Sequence, residues 1–188
     1  MKKRMLLLAA ILAASSLAMA ADTYTIDGVH TSANFAVKHL GLSTVHGRFT
    51  EVSGTILFDA EAPERSSVTA VIKAATVNTD NAMRDQDLRS DNFFNAEKYP
   101  EIRFQSTSIQ KVGCGKYVAV GNLTIRDVSR EVEIPFTLAQ GKGPKGGPRL
   151  GVDASLTVNR FDYHVSWDKT GMLVGKDVNI ELSVEAAK

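Results

Sequence analysis

Apolar and polar positions alternate with a period of two through most of the chain, the pattern of strands with one buried and one wet face. In Ser32–His39, Ala33, Phe35, Val37 and His39 share one face, with Asn34 and Lys38 on the other. Val68, Ala70, Ile72 and Ala74 alternate with Thr69, Val71 and Lys73, and Ile102 and Phe104 with Arg103 and Gln105. Val132, Ile134, Phe136 and Leu138 oppose Glu131, Glu133, Pro135 and Thr137. Leu150, Val152, Ala154, Leu156 and Val158 form the next such face, and Val178, Ile180, Leu182 and Val184 the last. A short strand at Tyr24–Ile26 and a long one at Thr44–Asp59, bent at Gly47 and Gly54, complete the series. Pro135 has no N–H, so it is expected where no ladder bond is needed.

Turn residues punctuate these runs at Asp27-Gly28, Gly41, Ala60–Ser66, Val112–Gly115, Asp127 and Gly141–Pro148. Short turns make the neighbours antiparallel. The pattern predicts an all-β protein of about eight antiparallel strands. A sheet with one apolar face must stack on another or close on itself, and closure removes the exposed edges, so a barrel is expected. At eight strands its interior is either packed solid or holds one slim apolar ligand.

One stretch breaks the pattern. Asn81–Phe104 sets Arg84 and Arg89 among Asp80, Asp85, Asp87 and Asp91, then presents Phe93, Phe94 and Tyr99 before Pro100. Asp80 or Asn81 can cap a helix start. Met83–Arg89 fits about two helical turns, and Ala96–Tyr99 a second short turn, giving one or two short helices. The aromatic pair suits the mouth of a barrel, and the arginine forks suit an anionic or polar head group. The plainer reading is a surface helix with Arg–Asp pairs, which contribute under about 1 kcal/mol when exposed.

Composition narrows the function. Lys2, Lys3 and Arg4 precede an apolar run to Leu17 and the small residues Ala18-Met19-Ala20. This predicts a signal peptide over residues 1–20, with a mature domain over 21–188 in the periplasm. No lipid-anchoring cysteine follows it, and no later segment is long and apolar enough to span a membrane. Without residues 1–20 the charged residues number 19 basic and 21 acidic, a net −2, which argues against nucleic acid as a partner. Cys114 is the single cysteine, so no internal disulfide is expected, and it reads as an incidental turn thiol. His30, His39, His46 and His164 lack the paired short spacing of a zinc site, and no metal is expected. No G-x-S-x-G, H-E-x-x-H, phosphate-loop or dinucleotide motif occurs, so no catalytic residue, cofactor or enzyme activity is assigned.

The order of these residues resembles the YceI family of exported bacterial proteins. The likeness runs through Y-T-I-D-G-V-H-T-S-A-N-F-A-V-K-H-L (Tyr24–Leu40) and V-H-G-R-F (Val45–Phe49). Its most specific block is M-R-D-Q-D-L-R-S-D-N-F-F-N-A-E-K-Y-P-E-I-R-F (Met83–Phe104), followed by G-N-L-T-I-R-D-V-S-R-E-V (Gly121–Val132) and V-G-K-D-V-N-I-E-L-S-V-E-A. The resemblance implies a lipocalin-like barrel around an elongated apolar cavity that holds an isoprenoid lipid, either a polyprenyl phosphate or an isoprenoid quinone. The block from Arg84 to Phe94 and the first strands then surround the cavity or its mouth. Gln86 and Asp87 depart from the histidine or lysine that often precedes the leucine in the family, and Asp127 from a turn glycine.

The resulting expectation is a periplasmic binding or carrier protein. Arg84 and Arg89 are the candidates for the polar end of the ligand. Phe35, Val37, His39, Phe93, Phe94, Phe104 and Trp167 are the candidates for cavity and mouth. An enzyme using His39 or His46 as general base, or a solid barrel that recruits a partner protein, are the alternatives. A homodimer paired through exposed strands is compatible with each.

Overall fold

The computed structural model describes residues 21–188; the expected signal peptide lies outside the described residues. Eleven strands form one antiparallel sheet. They are β1 (Asp22–Ile26), β2 (Ser32–His39), β3 (Ser43–Phe49), β4 (Val52–Phe58), β5 (Ser67–Lys73), β6 (Val77–Asn78), β7 (Glu101–Gly113), β8 (Lys116–Ile125), β9 (Val128–Lys142), β10 (Pro148–Asn159) and β11 (Val174–Ala187).

The pairings reduce these to eight staves of a closed barrel. β1 and β2 both pair with β11, and they pair with β4 and β3 respectively. Each couple is therefore one broken stave. β5 and β6 form a third broken stave, since β5 pairs with β4 and β6 with β3. The remaining five staves are unbroken, and β11 closes on β1 through Thr25↔Ala187 and Ile26↔Ala186. The expected eight-stranded barrel is what the alternation builds: one face turns inward along every stave, and the outward face carries residues such as Asn34, Arg48 and Glu181.

The long Thr44–Asp59 strand does bend, but at Thr50-Glu51 rather than at its glycines. The Thr76 hydroxyl accepts from Thr50 N and Glu51 N at 3.2 and 3.3 Å and donates to Lys73 O at 2.7 Å, which satisfies the backbone of the corner. Gly54 instead permits close approach, because a Cβ there would lie 2.9 Å from Ala70 Cα on β5. Pro135 sits where the β9–β10 ladder ends at Phe136↔Ala154, so its missing N–H breaks no bond to β10.

One α-helix, α1 (Ala82–Arg89), lies at the end of the barrel where β2 finishes and β11 begins. Asn81 caps it, its side chain accepting from Arg84 N at 3.0 Å. Three short 3-10 turns at Pro63–Arg65, Ala74–Thr76 and Arg160–Tyr163 complete the secondary structure of the described residues. No helix among the described residues is long and apolar enough to cross a membrane.

The core is divided lengthwise. Toward α1, Phe49, Phe93, Leu123, Ile125, Val158 and Tyr163 pack together. At the far end, Tyr24, Phe58, Tyr117, Leu150 and Ala186 form a plug. Within it Tyr117 stacks on Phe136, centroids 5.3 Å apart, and meets Phe58 edge-on at 6.4 Å. One end of the barrel is thus filled by aromatic rings, and the other is covered by the α1 segment.

Candidate functional site

The inward faces do not fill the barrel. Three spaces follow one another along its axis. A main chamber of about 190 Å³ is walled by Phe35, Phe49, Ile102, Leu123, Leu156 and Ile180, among others. An inner chamber of about 90 Å³, lined by Ile56, Ile109, Ala119, Leu138 and Val152, lies toward the plug. Phe104, Ile134 and Leu182 belong to both walls, so the two chambers are successive parts of one apolar channel. A mouth chamber of about 230 Å³ shares Phe35, Val37, Leu88, Phe93 and Val174 with the main one and adds Lys38, His39, Thr79, Arg84, Asp87 and Trp167. The space is apolar at its blind end and charged at its opening.

Aromatic contacts shape the upper wall. Phe49 holds the Phe35 ring at 5.7 Å and the Phe94 ring at 5.5 Å, and Phe93 lies 5.9 Å from Trp167. Phe93 is buried whereas Trp167 is half-exposed, so the tryptophan forms the rim. Of the residues expected from the sequence, Phe35, Val37, Phe93, Phe94 and Phe104 lie on the main wall, and His39, Arg84 and Trp167 on the mouth. His46 lies between inward-facing Val45 and Gly47 on β3 and is exposed, away from these walls.

The two arginines part company. Arg84 Nε donates to Thr79 Oγ1 at 2.8 Å and Nη2 to Thr79 O at 2.8 Å, which uses two of its five N–H donors and leaves it on the mouth wall. Arg89 donates to Ala75 O at 2.7 Å and Val77 O at 3.0 Å and is not on the chamber walls. Through these bonds it staples α1 to β6. Buried Asp85 adds a second staple, accepting from Thr79 N at 2.8 Å and Thr79 Oγ1 at 2.6 Å. Lys38, whose Nζ donates to Thr44 Oγ1 at 2.9 Å, is the mouth cation that the strand pattern did not single out. Its signal was its place near the end of β2, beside the Leu40–Leu42 turn.

A buried arginine builds the opposite side of the rim. Arg160 is 5% exposed. It donates to Val165 O, Asp168 O, Val174 O and Gly175 O at 2.6, 3.1, 2.7 and 2.9 Å, gathering the β10–β11 loop around one guanidinium. Burial pulls its pKa below the ordinary guanidinium value, and neighbouring Asp168 opposes that. The Asp168 carboxylate accepts from Thr170 Oγ1 and from the N–H groups of Thr170, Leu173 and Val174. The Thr170 hydroxyl bond, together with these N–H bonds, holds its pKa far below the carboxylate range. Arg126 ties the two sides together, with Nη1 donating to Phe93 O at 2.9 Å and His164 O at 2.7 Å. Neither residue carried a sequence signal, because their partners are backbone carbonyls that only the fold assembles.

Residues 24–186 match the YceI-like domain. The chain belongs to the YceI family. A UPF0312 protein of Photorhabdus laumondii is 40% identical over 162 residues, covering 85% of this chain and 83% of that one. The Campylobacter jejuni YceI protein, 32% identical, superposes with a TM-score of 0.73 over 80% of this chain and 89% of its own. A polyisoprenoid binding domain from Saccharophagus degradans superposes with a TM-score of 0.67 over 87% of this chain and 97% of its own. At 15% identity that last likeness is one of fold. The YceI assignment accounts for the barrel and for the Met83–Phe104 block, whose helix and aromatic pair cover the open end here.

Proposed function

We propose that this protein binds and carries an isoprenoid lipid, a polyprenyl phosphate or an isoprenoid quinone, in the periplasm. The observation that carries the reading is the blind apolar channel that opens on Lys38, His39 and Arg84. A chain that water rejects enters the channel, and its polar end stays among the donors at the mouth. Each methylene removed from water contributes about 0.8 kcal/mol, so ten chain carbons contribute about 8 kcal/mol before the cost of immobilising them. The fold shared with a polyisoprenoid binding domain supports the ligand class, and the Lys2–Ala20 pattern supports export. Binding without turnover is the simpler chemistry, since the surface that the main and inner walls turn to the channel is almost wholly hydrocarbon and aromatic.

The test is native mass spectrometry of protein purified from the periplasm, followed by organic extraction. The expected result is a discrete added mass that extracts as a polyprenyl compound and is lost in Phe35→Glu, which places a carboxylate on the main wall. Bare protein that takes up neither polyprenyl phosphate nor quinone on incubation would overturn the reading.

A further inference from the structure

Eight large apolar side chains stand exposed among the described residues, and five of them crowd two segments at the mouth. Leu40 and Leu42 are 49% and 84% exposed on the β2–β3 turn; Trp167, Met172 and Leu173 are 49%, 73% and 46% exposed on the β10–β11 loop. The segments are joined, since Leu40 N donates to Leu173 O at 2.9 Å. They form one apolar crest beside the channel opening. By contrast, Val112 on the β7–β8 turn and Val29 on the β1–β2 turn stand singly away from the mouth.

The crest is not a by-product of a relaxed turn. Leu40 has φ +54°, in the left-handed region that a leucine rarely adopts. Two leucines flank the glycine that a three-residue turn needs, where polar residues would serve the turn equally well and cost nothing in water. The β10–β11 loop is equally fixed, by Arg160 from beneath and by the Asp168 carboxylate from within.

Charge identifies what the crest meets. The exposed lysines of Lys38–His46 and His164–Lys176 are Lys38, Lys169 and Lys176. Of the acids nearby, Asp168 is buried and spent on its own loop, Asp87 on the mouth wall accepts from Asn92 Nδ2 at 2.7 Å, and Asp127 pairs with His164, which leaves the exposed Asp177 beside Lys176. Apolar tips ringed by lysines, with a half-exposed tryptophan among them, match the interface of an anionic bilayer. Hydrocarbon lies below the headgroups there, the indole sits at their level, and the phosphates take the ammonium groups. A narrow crest of two loops offers little flat area to a protein partner, whereas a bilayer receives it without shape complementarity.

We infer that the mouth of the barrel docks on an anionic phospholipid membrane through Leu40, Leu42, Trp167, Met172 and Leu173, with Lys38, Lys169 and Lys176 around them. The channel then opens directly onto the bilayer. Docking needs no cargo, so it is tested separately from ligand binding.

The experiment is flotation of the purified protein with vesicles of phosphatidylethanolamine and phosphatidylglycerol, against vesicles of phosphatidylcholine alone. Wild type is expected to float with the anionic vesicles and to lose most of that binding in phosphatidylcholine or in high salt. The double variant Leu42→Asp/Met172→Asp alters only exposed side chains and is expected to lower partitioning at least tenfold with an unchanged melting temperature. Val112→Asp, at the far end, is expected to float like wild type. Blue-shifted Trp167 fluorescence on the vesicles would place the rim in the interface. Absence of flotation overturns the proposal, as does equal loss in Val112→Asp. A solution dimer dissociated by Leu42→Asp/Met172→Asp, without vesicle binding, would assign the crest to a second copy instead.

Discussion

The Phe35 ring lies against the backbone of Gly47, its register partner on the neighbouring strand. A Cβ at Gly47 would fall inside the ring's van der Waals surface and within 2.8 Å of Thr79 Cγ2. The glycine is therefore space for an aromatic side chain, and it sets the position of that side chain on the main wall.

Gly47→Ala is expected to push Phe35 into the chamber. Overpacking of this kind costs about 1–3 kcal/mol, and retention of an apolar ligand should fall at least tenfold. Adding Phe35→Leu should recover most of the lost stability, because the two residues share one contact. Urea denaturation of the two single variants and the double variant measures the coupling. Additive losses would mean that Gly47 acts through something other than the ring.

The same pair shows how far the sequence could be read. Period-two alternation located β2, β5, β10 and β11 and their inward faces, because a residue's side of a strand depends only on its parity. Gly47 and Gly54 were legible as irregular positions, but their meaning was not. Both make room for a neighbouring strand, whereas the bend between them is held by Thr76, 25 residues from Glu51 in the chain. Arg84 and Arg89 drew attention as charges beside aromatics. Their division into a wall residue and a staple depends on which carbonyls the fold leaves free. Arg160 had no signal, since an arginine at a strand end gives no hint that it will be buried.

Arg160→Met should loosen the mouth more than the barrel. The methionine keeps much of the bulk but leaves the carbonyls of Val165, Asp168, Val174 and Gly175 without their shared donor. The expected loss is about 3 kcal/mol, with Arg160→Lys recovering only part because an ammonium cannot fan out as the planar guanidinium does. Hydrogen exchange should quicken in residues 164–175 ahead of the strands. Uniform quickening over the whole barrel would show that Arg160 supports the core instead.

Stability should depend on pH through the side of the barrel away from the mouth. There His30 Nδ1 lies 3.0 Å from Asp27 Oδ2, and Arg149 Nη1 joins Asp27 at 3.0 Å and also bonds Glu185. Asp27 raises the His30 pKa above its ordinary 6.5, chiefly by hydrogen bonding. His30 and then Arg149 lower the Asp27 pKa far below the usual carboxylate range. The imidazolium favours the folded state, so its contribution is complete below about 6.5 and disappears as pH rises through the raised native value. The Asp27 contribution has the opposite sense: it is complete above about 3.8 and lost as pH falls through the depressed native value. The melting temperatures of wild type and His30→Ala should therefore differ most near about pH 5 and converge by about pH 9. A difference that stays constant over that range would mean that the ring acts by packing and not by charge.

The inner chamber offers a way to separate the length of a bound chain from its presence. Ala119 is 4% exposed and faces the inner chamber but not the main one. Ala119→Phe fills that end of the channel with a ring, while Phe35, Leu123, Ile180 and the mouth stay as they are. The cost in stability is about 1–3 kcal/mol if the neighbours repack only in part. If a chain lies along the axis with its polar end at the mouth, its tail is the part that reaches Ala119. Long polyprenyl chains should then bind at least tenfold more weakly to the variant, while short ones bind as to wild type. A series of increasing chain length, assayed by competition with an apolar fluorophore, reads this directly. Equal weakening at every length would mean that the chain does not extend to the inner chamber and that the variant acts on the barrel as a whole.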